Sequence, residues 1–165
     1  MIEWIDTLGP PLCGTPDIAR TWQGTEGSSI GTDPSDYDRA CAVVDHVTRI
    51  ACGPGEVLLL GDEPMRSAFL LVDETLLVAR WWSCESVERA ETALRQIPWQ
   101  LPIVEESVAF LVRTPRLVMF DSAHVGIEPS DLRETTVTTG AYAVTSERYE
   151  APGVFKFIIH RFLSR

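Results

Sequence analysis

The sequence predicts an α+β fold, a mostly antiparallel β-sheet or sandwich-like core with one or two packed helices. Three observations point there. Apolar runs of strand length recur from residue 56 onward, each bounded by glycine, proline or aspartate. Only two stretches place apolar residues at helical spacing. No repeat of fixed period, which would suggest a solenoid or propeller, is present. With 165 residues, 45% of them apolar, the chain is expected to form one domain over 1–165 with a real hydrophobic core.

Residues 1–35 read as irregular. Gly9-Pro10-Pro11 marks an extended turn, Trp22 offers one large anchor, and 27–34 is a polar glycine-serine loop. Ser35 suits the N-cap of a short helix carrying Tyr37, Ala40, Cys41 and Val44 on one face. Cys52-Gly53-Pro54-Gly55 then breaks the chain. Val57–Leu60 reads as a strand, and Ala68–Val72 meets Leu76–Trp81 across Asp73-Glu74-Thr75 as a hairpin. The adjacent Trp81 and Trp82 end that strand and should send their rings to opposite faces, one of them into the core.

Ser83 is expected to cap a second helix with Val87, Ala90, Leu94 and Ile97 on its buried stripe. Acidic residues lie near its start, Arg95 near its end, and Pro98 stops it. Val108–Val112 and Leu117–Phe120, joined by Arg113-Thr114-Pro115-Arg116, suggest a further hairpin. Thr135–Thr139, Ala141–Thr145 and Val154–Phe162 complete the strands. The last run is apolar on both faces, which predicts a central position.

Charge narrows the function. Fourteen basic residues against twenty-four acidic give −10, and residues 1–80 carry most of the excess. Such a field repels phosphate backbones, so nucleic acid is not an expected partner, while a basic protein is. No apolar run approaches the length of a membrane span, and no charged-then-apolar leader opens the chain. The expected setting is the cytoplasm, without membrane contact, and the four scattered cysteines are expected to remain thiols there.

Catalytic motifs lack their supporting context. Gly27-Ser28-Ser29-Ile30-Gly31 has the letters of a nucleophile elbow but neither the strand before it nor the helix after it. Asp121-Ser122-Ala123-His124 contains the atoms of a hydrolytic relay, yet four successive residues point in divergent directions. Asp121 and His124, even with Asp45 or His46, give no converging metal set, and no cofactor is expected. The surface candidates are Asp36, Asp38, Asp62 and Glu63, an acidic group suited to receiving Lys or Arg side chains from a partner.

A set of short words recurs in order over roughly residues 3–162: Trp4-Ile5-Asp6 with Gly9-Pro10-Pro11, Trp22-x-Gly24, Asp36-Tyr37-Asp38-Arg39-Ala40-Cys41, Gly61-Asp62-Glu63-Pro64, Phe120-Asp121-Ser122-Ala123 and Gly140-x-Tyr142-x-Val144. Together they resemble the immunity protein 21 family. Pro10 stands where a second glycine is expected, and Cys13 replaces an aliphatic residue. The resemblance implies noncatalytic, high-affinity inhibition of a cognate bacterial toxin domain in a polymorphic toxin system. It transfers no binding residues, so the shared words are expected to be fold determinants. An acidic inhibitor also suits a toxin that is a nuclease, whose substrate is negative. The alternatives are another cytosolic protein-binding or regulatory domain, and a small hydrolase using the Asp121-Ser122-His124 region. Oligomeric state is not legible.

Overall fold

The computed structural model describes residues 1–61, 63–125 and 132–165, with Glu106 described by its backbone only. The fold is α+β with mostly antiparallel pairing, as the sequence predicts, built as two five-stranded sheets. The first has the order β2-β3-β1-β7-β8, formed by Thr48–Cys52, Gly55–Leu59, Pro11–Gly14, Arg116–Asp121 and Leu132–Thr136. The second has the order β4-β5-β10-β9-β6, formed by Ser67–Val72, Thr75–Cys84, Phe155–Ser164, Gly140–Ala151 and Ile103–Val112. The described helices are α1 (Pro16–Ala19), α2 (Asp36–Cys41) and α3 (Val87–Leu94), one more than expected, with a 3-10 turn at Gly24–Glu26.

Three hydrophobic clusters show how the layers stack. Cys13, Leu58, Leu60, Leu117 and Met119 of the first sheet interleave with Leu76, Val78, Phe110, Val144 and Phe162 of the second, and this is the sandwich interior. On the outer face of the first sheet, Leu12, Leu59, Val118 and Phe120 pack against Ala19 and Ala40 of the short helices and against Trp22. On the outer face of the second, Leu77, Ala79, Phe157 and Ile159 receive Ala90, Ala93 and Leu94 of α3. The period-2 alternation of strands makes this possible: Leu76 and Val78 face inward while Leu77 and Ala79 face α3.

Several elements fall where their residues direct them. Ser35 caps α2 by accepting from the Asp38 amide at 3.1 Å. The β4–β5 hairpin closes over Asp73 and Glu74, both with positive φ (46° and 63°), a backbone that matches the right-handed twist of the strands it joins. β10 is central, between β5 and β9.

Three expectations are corrected. The N-terminal segment contains β1, which lies in the middle of the first sheet, pairing Leu12 with both Leu59 and Phe120. β6 and β7 do not form a hairpin: β6 pairs with β9 in the second sheet, and Arg113–Pro115 carries the chain across to the first. The cap of α3 is Ser86, whose hydroxyl accepts from the Arg89 amide, because strand pairing with β10 holds β5 extended as far as Cys84.

Candidate functional site

Four of the short sequence words meet at one junction on the helical side of the first sheet. The Asp121 carboxylate accepts hydrogen bonds from the amides of Leu8, of Gly9 (2.9 Å) and of Ala123 (2.9 Å). Ser122 in turn donates its amide to the Pro10 carbonyl at 3.3 Å. The indole Nε1 of fully buried Trp22 donates to the Ser122 carbonyl at 2.8 Å. Gly24, at φ +55°, lies so close to the Ala123 and His124 carbonyls that no Cβ fits. Gly9 likewise lies against Ser122 and the Tyr37 ring. Residues from three separated words thus fix one another through backbone groups that would otherwise be buried without partners, and Tyr37 of a fourth closes against Gly9.

This geometry decides the hydrolase reading. The Asp121 carboxylate is committed to backbone amides, and Ser122 is fully buried with its Oγ making no hydrogen bond among the described residues. His124 is exposed on the turn that follows. A relay needs the hydroxyl bonded to the imidazole and the imidazole oriented by the carboxylate. The junction instead fixes the N-terminal segment to β7. Ser29, the central residue of the glycine-serine loop, donates its amide (2.9 Å) and hydroxyl (3.1 Å) to Asp36. Among the described residues no group of three His, Cys, Asp or Glu side chains could hold a metal ion.

The acidic candidates separate. Asp36 is not on the surface: its side chain is fully buried, ion-paired to Arg39 and bonded to the Gln23 amide at 2.8 Å as well as to Ser29. Burial pushes its carboxyl up, but the bonds from Arg39, Gln23 and Ser29 outweigh that and hold it below its ordinary value. It is the organiser of the 23–36 loop. Asp38 and Glu63 are exposed, and Asp62 lies outside the described residues. Of the adjacent acids Glu105 and Glu106, Glu105 accepts the Val47 amide at 3.0 Å, and the side chain of Glu106 is outside what is described.

Two features escape the sequence reading. One is a polar group between the sheets. His160, fully buried, meets Ser146 Oγ through Nδ1 at 3.1 Å, and its Nε2 has no hydrogen-bond partner among the described residues. Burial first, then the charges of Arg80 and His46, holds this imidazole well below its ordinary pKa. The only trace in sequence is a histidine within an apolar run. The other is which of the two diverging rings, Trp81 or Trp82, enters the core. Trp81 enters the α3-side core, edge-on to Trp4 at 5.2 Å and to Phe157 at 6.1 Å, whereas Trp82 stays 48% exposed.

The cysteines are thiols: Cys13 and Cys52 are buried, Cys84 partly so, and Cys41 exposed. Burial pushes Cys13 up to about 12, which makes it an inert part of the core.

A family model described as Immunity protein 21 matches residues 3–152, most of the chain. No curated protein and no solved structure matches it.

Proposed function

The chain belongs to the immunity protein 21 family, and from that membership we propose that it protects the cell that makes it by binding a cognate toxin domain in the cytoplasm and blocking it without chemistry. The observation that carries this reading is how the charge is distributed. At least nine of the fourteen basic residues are committed to ion pairs within the molecule, among them Arg39–Asp36, Arg66–Asp6, Arg116–Glu134 and Arg161–Glu147. The excess acids are left on the exterior, including Glu26, Asp33, Asp38, Asp45, Glu63, Asp73 and Glu74. A mainly negative surface accelerates encounter with a basic partner and mimics the field of a nucleic acid. A nuclease toxin is the target class this supports.

The proposed steering acids are Asp38 and Glu63, with Asp62. Co-expression with the toxin domain encoded by the neighbouring gene tests the whole reading: cells survive and the two proteins copurify. Neither protection nor binding would overturn it. Neutralising Asp38, Asp62 and Glu63 together should slow association by about tenfold at low salt and flatten its salt dependence. Unchanged association across a salt series would remove these three residues from the encounter surface.

A further inference from the structure

Lys156 takes no part in the ion pairs among the described residues. It is the sequence's sole lysine in a chain with ten more acids than bases. Its cross-strand neighbour is an acid, Glu150. Glu150 nevertheless pairs with Arg148, at 4.0 Å. The Lys156 Nζ sits 3.4 Å from the centroid of the Trp82 ring.

Trp82 owes its position to a β-bulge. Trp81 pairs with Phe157 and Ser83 with Lys156, so Trp82 is the extra residue of β5. Bulges of this kind re-aim a side chain out of the regular ladder. At the β9–β10 turn that precedes Lys156, Val154 is also 48% exposed. A cleft of about 520 Å³ lies at that turn, bordered by Val154, Phe155 and Lys156, by Cys84 of β5, and by the acids Glu85 and Glu150.

The other exposed indole makes the contrast. Trp99 is 58% exposed above Arg161, but that guanidinium is already bound to Glu147 and to the Pro98 carbonyl. Its charge is spent. At Trp82 the charge is not spent on an ion pair among the described residues, and the ammonium lies over the half-exposed ring. An exposed aromatic side chain that is already ordered loses little entropy on binding, which is the property of an interface anchor.

We propose that Trp82 and Lys156 form the anchor by which this protein holds its toxin, through an apolar side chain seated against Trp82 and a carboxylate that pairs with Lys156. The proposal rests on the immunity reading above and adds to it a second element: the acids set the rate of encounter, and the anchor sets the lifetime of the complex.

The test is kinetic, using the full chain and the neighbouring toxin domain on a biosensor surface. Trp82→Ala should speed dissociation about 30-fold and Lys156→Glu about tenfold with association nearly unchanged, while Leu71→Ser, at an exposed position elsewhere, should alter neither rate. Thermal melting of each variant checks folding. If Trp82→Ala unfolds, Lys156→Glu decides the matter. Failure of the wild-type chain to bind the toxin would overturn the immunity reading itself. Wild-type binding with the anchor variants dissociating at the wild-type rate would overturn the anchor alone. Loss of affinity in Trp82→Ala but not in Lys156→Met would overturn the carboxylate pairing.

Discussion

Arg161 and Glu147 face each other on the α3 side of the second sheet as a buried, doubly bonded ion pair, with Nη2 to Oε2 at 2.9 Å and Nε to Oε1 at 3.0 Å. Their side chains are 3% and 7% exposed, and Thr145 Oγ1 donates a further bond to Glu147 at 2.9 Å. Removing one member of such a pair leaves the other charge buried and unmatched. Glu147→Gln should therefore cost about 3 kcal/mol, measured by urea unfolding at neutral pH. A cost under about 1 kcal/mol would mean the pair is screened as a surface pair is.

Asp36 predicts an acid-limb effect. Its carboxyl titrates lower in the folded chain than unfolded, so its stabilisation is present above the unfolded value and is lost as pH falls through the folded one. Wild-type stability should drop as pH is lowered from about 5 to about 2, and Asp36→Asn should show a shallower drop, having already lost about 2 kcal/mol at neutral pH. Parallel curves for the two proteins would contradict this.

His160 acts in a different window and through the opposite ionisation. Here the folded chain disfavours the proton that the unfolded chain accepts, so stability is full above the ordinary histidine value of 6.5 and falls as pH drops below it. The slope should reach about 1.4 kcal/mol per pH unit between pH ~6 and ~5. His160→Leu should remove that component, whatever its own effect at neutral pH, when unfolding free energies are compared from about pH 7.5 to 5.

Gly24 and Gly31 share a left-handed backbone, at φ +55° and +72°, but not their surroundings. An added Cβ at Gly24 meets the backbone of Ala123 and His124, whereas at Gly31 nothing among the described residues lies within 4 Å. Gly31→Ala should cost about 1 kcal/mol, the conformational penalty alone, and Gly24→Ala about 3 kcal/mol or more. Equal costs, read from denaturant midpoints, would show that the junction can yield.

The sequence was most legible where local rules and tertiary partners agreed. The β4–β5 hairpin has apolar strands on either side of a tight turn, and α2 carries its own cap in Ser35. The fold departs where pairing is decided at a distance. Pro11-Leu12-Cys13-Gly14 is too short and too closely flanked by proline and glycine to look like a strand; it becomes one because Leu59 and Phe120 supply partners on both sides. The four-residue link Arg113–Arg116 suited a hairpin, but β9 is the partner that β6 meets.

The candidate site was legible in part for the same reason. Asp36 and Asp38 look alike in sequence, two acids at the start of a helix, yet one is enclosed by Gln23, Ser29 and Arg39 while the other stays outside. Nothing local distinguishes them. The choice of Trp81 for the core and Trp82 for the exterior depends on one extra residue in the β5–β10 pairing, a count that requires both strands.

The position of β1 has a consequence for how the chain is assembled. β1 leaves the ribosome ahead of the other described strands yet is the middle rung of its sheet, and one of its two neighbours, Val118–Asp121, is translated roughly a hundred residues after it. Until then the β2–β3 ribbon can hold β1 along one side only, and the opposite side offers open amides and carbonyls to any passing strand. Newborn copies interrupted before residue 118 should consequently be the ones that clump.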